Sequence, residues 1–364
     1  MESHDTEPEA MDTEESNNHN LDTNENNMQF IKKVERNREK QRENFVTSGN
    51  LFIIVFMNLL KGAKFRKEVV RHYMERVLHS IFFFGHIHCP PIAPEEFLPE
   101  TLTERYKEAF PKPFKQYNTH LPRYTPYSIL LEYMTKGMEW DDLDLLSKHL
   151  ENVNKSLLKS HKEKEDEFIA NDFAFNASAV TFCCVKDSNN AKVLRKAYGS
   201  SLSCKGKIER KIMIAVSALH VWDRAVSYAV CCAGQGHPIT FPERVECMTY
   251  SFIQRKKIPP CNKCFKMYKL KAIPEHEAHN KMEHWPYGNC AENESLSRLL
   301  QCDEDVRREI CIIDENGRKV MNRQDIENKF KEEYEDEIKR TARNNLTPRK
   351  VTLPLGEWNF FSPD

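Results

Sequence analysis

The sequence predicts an α+β protein, with a mixed sheet and flanking helices in its C-terminal half and a helical N-terminal region. Three observations carry this. Residues Phe65, Val69, Tyr73, Val77 and Ile81 recur at intervals of four, which places them on one face of a helix. Ala179–Val185 is a short apolar, β-branched run followed by the turn-forming Asp187-Ser188-Asn189-Asn190, which reads as a strand entering a hairpin. Between Glu309 and Val320, Asn316-Gly317 separates two short apolar runs, a strand–turn–strand signal.

The elements follow in chain order. Residues 1–28 hold nine acids and no Lys or Arg, with a single leucine, and are expected to be a disordered acidic tail. Residues 29–160 form the helical region. It starts with a charged helix from Phe30, continues through the apolar run Leu51–Leu60, and includes a helix within Tyr127–Leu158 broken at Gly137 and restarting near Asp141. Eight of the 18 prolines fall within 90–126, so that segment is expected to be an extended connector. Residues 161–345 form the α+β domain. Its most regular helix is expected over Lys207–Val230, with Gly234 just past its end. A charged helix carrying Ile326, Phe330, Tyr334 and Ile338 follows, and 346–364 is a C-terminal tail.

Composition narrows the chemistry. The net charge of −1 conceals a basic body, because the acidic tail leaves 54 basic against 46 acidic residues elsewhere. Such a body suits contact with nucleotides or nucleic acid, and equally a solvated Lys-rich surface; the acidic tail and helical region suit protein partners. Only 11 glycines are present and no phosphate-loop motif occurs, which excludes the glycine-rich nucleotide-binding classes. The N-terminus has no apolar signal core, and the ten residues Leu51–Leu60 are too short to span a bilayer. A cytoplasmic or nuclear protein without membrane contact is expected. Its 12 cysteines are then reduced, and the doublets Cys183-Cys184 and Cys231-Cys232 read as core.

The chemically pointed stretch is 258–300. Cys261 and Cys264 stand two residues apart behind Pro259-Pro260, a spacing at which two sulfurs converge on one metal. Gly288-Asn289-Cys290-Ala291-Glu292 leads into Leu296, Leu299 and Leu300, so a helix opens near Cys290, whose thiol feels the positive end of the helix dipole. Zinc is the expected ion, held by Cys261 and Cys264, with Cys290 either a further ligand or a packed helix-start cysteine. Two arrangements stand beside each other: an open fourth position, as in catalytic sites, or a closed structural site completed by His276, His279, His284 or Cys302. Trp285 could wall a base-binding pocket. A papain-like nucleophile at Cys290 needs a histidine base, and no histidine follows it in the chain.

Pro260-Cys261-x-x-Cys264 and Cys290-Ala291-Glu292 resemble the two signature motifs of the zinc-dependent cytidine-deaminase-like superfamily. The resemblance implies a deaminase-like core and three thiolate ligands, Cys261, Cys264 and Cys290, with water in the fourth place. It further implies that Glu292 is the catalytic acid and base, and that the substrate is a nucleobase, free or within a nucleotide or nucleic acid. It covers about forty residues, and the Cys-Ala-Glu motif here follows Pro-Cys-x-x-Cys by 26 residues, the reverse of the superfamily's order. The alternative reading is a non-enzymatic interaction protein stabilised by structural zinc.

Overall fold

The structure is a computed structural model. It describes residues 15–62, 65–136, 143–159, 173–187, 189, 192–233, 235–276, 283–353 and 358–363. Gly137, Asp141, Gly234 and His279 lie outside the described residues. The chain divides into two units, residues 1–44 and 45–364.

Residues Glu15–Lys61 form one helix, α1, which starts inside the segment expected to be disordered. Its part from Met28 contains a window apolar enough by length and composition to cross a membrane, yet 44% of that window is buried in the fold. Phe45, Phe52, Ile53, Phe56 and Leu60 are core residues, so packing accounts for the apolar character.

Within the larger unit, α2 (Lys67–Ile87) carries the expected stripe, with Tyr73, Val77 and Ile81 all buried. The proline-rich segment is not an extended connector. It folds into a 3-10 turn at Pro94–Phe97 and the short helices α3 (Glu100–Ala109) and α4 (Pro111–Gln116). Proline ends helices from within but suits their first turn, and Pro94, Pro99 and Pro111 all stand at helix starts. Helices α5 (Pro126–Lys136) and α6 (Leu143–Lys159) complete the helical layer.

The main sheet is built on the hairpin β1 (Ala179–Lys186) and β2 (Val193–Ser200). Strand β4 (Val245–Ser251) pairs with β1 antiparallel, and its outer edge takes β5 (Lys256–Ile258) and, in parallel, β7 (Lys271–Ala272). Both faces of β1 are covered. Val180, Phe182 and Cys184 join the core that contains α2, α5 and α6, so that core continues across the expected 160/161 boundary. Cys183 and Val185 join a second core. That alternation is the two-residue period of a strand buried on both sides. A smaller sheet runs β6 (Tyr268–Lys269), β3 (Ile239–Thr240), β8 (Cys311–Ile313) and β9 (Lys319–Met321); Gly317, at φ 77°, makes the expected turn between the last two.

Three further expectations change. The helix foreseen over Lys207–Val230 is divided into α7 (Lys207–Val216), a π-turn at Ser217–Val221 and α8 (Arg224–Cys231). Asp223 causes the restart, since its carboxylate accepts from the Ala225 amide as an N-cap. The cysteines are not all reduced: register sets Cys183 opposite Cys247, and the two form a disulfide. Cys184, its neighbour, is a free core residue. The C-terminal tail is docked, with Phe360 bridged to Leu121 and Phe361 buried.

The remaining helices are α9 (Asn262–Met267), α10 (Ala291–Cys302), α11 (Glu304–Glu309), α12 (Arg323–Lys329) and α13 (Glu335–Leu346); a π-turn joins the last two. The second core holds α10 against β1 and β2. Contact is so close that a Cβ at Gly199 would stand 2.4 Å from the Ala291 carbonyl and the Ser295 amide, so β2 needs glycine there.

Candidate metal centre

Two helix starts deliver the three cysteines. Cys261 is the N-cap of α9 and Cys264 lies in its first turn, the loop from β5 having supplied Pro259-Pro260. Cys290 is the N-cap of α10. Gly288 turns the chain into it at φ 88°, a left-handed value that glycine adopts without strain. The ligand atoms of Cys261, Cys264 and Cys290 lie within 4.8 Å of one another, and Cys261 Sγ is 3.5 Å from Cys290 Sγ. Tetrahedral zinc with bonds of about 2.3 Å sets its sulfurs about 3.8 Å apart, so these residues fit the ion.

The electrostatics agree with that fit. Hydrogen bonds from the Cys264 and Cys290 thiols pull Cys261 well below the usual thiol range. Those same contacts, together with burial, push Cys264 and Cys290 up. The three sulfurs thus crowd around one point, an arrangement in which a cation replaces protons.

Glu292 stands two residues into α10 and is 5% exposed. Thr249 Oγ1 donates to its Oε1 at 2.8 Å, and Thr249 Oγ1 is itself 2.8 Å from Thr181 Oγ1. The two threonines are register partners across β1 and β4. The Cys264 thiol lies within hydrogen-bonding reach of the same carboxyl. Burial and the charge on Cys261 raise the Glu292 pKa, and the Thr249 bond opposes that rise.

Among the described residues, no fourth ligand joins the three cysteines. Cys302 ends α10, about 18 Å along the axis from Cys290 at 1.5 Å per residue. His276 stacks on Phe265 with ring centroids 4.1 Å apart, and its Nδ1 is 2.8 Å from the Pro260 carbonyl. His284 is exposed. Beside the thiols lies a cavity of about 230 Å³, lined by Cys264, Glu292, Phe265, Tyr268 and His276 among others. Its size suits a single ring system better than a large ligand. Trp285 does not line it; its carbonyl accepts from Lys263 Nζ instead.

Several positions escaped the sequence reading. Tyr268 OH donates to Asn293 Oδ1 at 2.7 Å, and Asn293 Nδ2 donates to the Cys290 carbonyl at 3.0 Å, which fixes the ligand-bearing peptide. Helix α10 is tied to the helical layer by ion pairs: Arg298 to Glu294 at 2.6 Å, Arg298 to Glu132 at 3.8 Å, and Glu132 to Arg76 at 2.8 Å. The i,i+4 spacing of Glu294 and Arg298 is a readable signal; the partners on α2 and α5 are not.

No protein-family model matches the chain, and no significant match to a curated protein or a solved structure was found.

Proposed function

We propose that the protein is a zinc-dependent hydrolytic deaminase of an amino-bearing nucleobase, with Cys261, Cys264 and Cys290 as ligands and Glu292 as the proton-carrying residue. The observation that supports this best is the placement of Glu292. Its carboxyl is buried beside the three sulfurs, opens on a ring-sized cavity and is held by Thr249. A purely structural site has no use for a buried carboxyl there, and burying one costs free energy.

A zinc ion held by the three thiolates would supply Lewis acidity and lower the pKa of water toward neutrality. Glu292 would take the proton from the attacking water and pass it to the departing amine, the general acid–base role its position allows. Thr249 holds one carboxyl oxygen through its hydroxyl, which orients the group for proton transfer. Phe265, exposed and stacked on His276, offers a flat apolar wall for a base ring. The reversed motif order is no obstacle to the chemistry, because sulfurs from two separate helix starts reach one point whatever their sequence in the chain.

The test is the zinc-loaded Glu292→Gln variant against a panel of nucleobases, nucleosides and nucleotides, with ammonia release as readout. The reading requires turnover by the wild type and its loss in the variant, with zinc content and thermal unfolding retained. A wild type that binds zinc stoichiometrically but releases no ammonia from any substrate would assign the ion a structural role in an interaction protein.

A further inference from the structure

Two of the three sulfurs stand nearer to each other than an ion requires. Cys261 Sγ is 3.5 Å from Cys290 Sγ, whereas tetrahedral zinc holds its sulfurs about 3.8 Å apart. Both residues are N-caps with extended backbone, flanking α9 and α10 rather than lying within them. Drawing the sulfurs together to the about 2.05 Å of a disulfide therefore calls on side chains at two helix starts and leaves both helices wound.

Exposure ranks the thiols. Cys261 and Cys290 are half-buried, but Cys264 is 2% exposed and its thiol also reaches the Glu292 carboxyl. A small oxidant in solvent thus meets Cys261 before Cys264, and Cys290 is the second thiol at hand. The fold already carries oxidised cysteine: the Cys183–Cys247 disulfide lies in the same core as Cys264, and Cys261 and Cys290 pack against that core.

We propose that Cys261 and Cys290 form a redox-sensitive pair, which a peroxide joins into a disulfide with release of the bound ion. The Cys261 thiolate attacks one oxygen of hydrogen peroxide, the O–O bond breaks, and a sulfenic acid and one water result. The Cys290 thiolate then attacks that sulfur, the S–O bond breaks, and the oxygen leaves as a second water. The two thiols give up two electrons and two protons, and the peroxide takes up both. Two of the three ligands are consumed, so the ion leaves, and a dithiol reductant restores the site. This inference rests on the three-cysteine cluster and not on the deaminase reading.

The full-length protein, zinc-loaded and zinc-stripped, is treated with hydrogen peroxide, its remaining thiols are alkylated, and tryptic peptides are mapped by mass spectrometry without reduction. Trypsin cuts after Lys257, Lys263, Lys281 and Arg298, so Cys261, Cys264 and Cys290 fall on separate peptides. The expected product links peptide 258–263 to peptide 282–298, with Cys264 recovered alkylated. The link should form faster in the zinc-stripped protein, release about one equivalent of zinc from the loaded one, and be undone by a dithiol. Cys264→Ser should keep the link and Cys290→Ser should lose it. A Cys261–Cys264 link, three free thiols after peroxide, or a linked protein that retains its zinc would each overturn the proposal. Ammonia release is followed on the same samples. A link in a protein that never turns over removes the deaminase reading alone, and turnover without a link removes this proposal alone.

Discussion

Thr249 and Glu292 meet across the join between sheet and helix, the threonine hydroxyl donating to the carboxylate at 2.8 Å. A donor to the charged form favours it, so removing the hydroxyl raises the carboxyl pKa further above its ordinary value. Thr249→Val is expected to lower kcat/KM for ammonia release about tenfold and to move the acidic limb of the pH–rate profile upward. Thr249→Ser should restore both. A pH–rate series on the three proteins, with zinc content measured in each, checks this.

Metal loss should report on the thiols individually. Cys290→Ser and Cys261→Ser are each expected to reduce bound zinc below one equivalent and to lower the unfolding temperature, as is treatment with a chelator. Cys89→Ser, at an exposed cysteine remote in sequence, should change neither. Elemental analysis beside calorimetric unfolding distinguishes these outcomes. Full zinc retention in both ligand variants would remove the proposed centre.

The Arg76–Glu132–Arg298–Glu294 network anchors the helix that carries Cys290. The Arg76 guanidinium holds Glu132 down at about 2 despite the opposing effect of burial. The folded pKa lies below the unfolded one of 4.5, so the stabilisation is complete above pH 4.5 and is lost as pH falls toward 2. It amounts to about 3 kcal/mol. Glu132→Gln should flatten the denaturant-derived stability over that window. Arg298→Met should cost about 3 kcal/mol near neutral pH, because it leaves Glu294 buried without its ion partner.

His79 works in the opposite direction. It is fully buried, stacked on Phe361 at 4.1 Å between ring centroids, and burial lowers its pKa from 6.5 to about 3. Between those values the unfolded chain takes up a proton that the folded one refuses. Stability is therefore unaffected above pH 6.5 and falls by about 1.4 kcal/mol per pH unit below it, until about pH 3. His79→Phe should be less stable than wild type at pH 7, having lost its contact with the Gln116 carbonyl, yet lose less on going to pH 5. Urea melts at the two pH values suffice.

What was legible in the sequence is what local rules govern. The hairpin around Asp187 and the turn at Asn316-Gly317 followed from turn chemistry, and the α2 stripe from its period of four. The three cysteines were legible because metal ligands must be Cys, His or carboxylate in close array. The proline-rich stretch misled because density was weighed rather than position: proline at a helix start is compatible with helix. The α7–α8 break turned on Asp223, which reads as an ordinary surface acid until its capping bond is seen. Thr181 and Thr249 carry no local signal. They matter only through register and through which backbone segments meet, and one sequence does not disclose that.

The fit of Gly199 against α10 has a kinetic consequence. Cys261 and Cys264 share one short helix, whereas Cys290 comes from a second helix 29 residues beyond Cys261 and reaches them only while α10 stays seated on β2. Release of a bound ion would therefore wait for α10 to lift. Zinc exchange and amide-hydrogen exchange along α10 should share one opening rate, and a bulkier residue at 199, by loosening that seat, should speed both together.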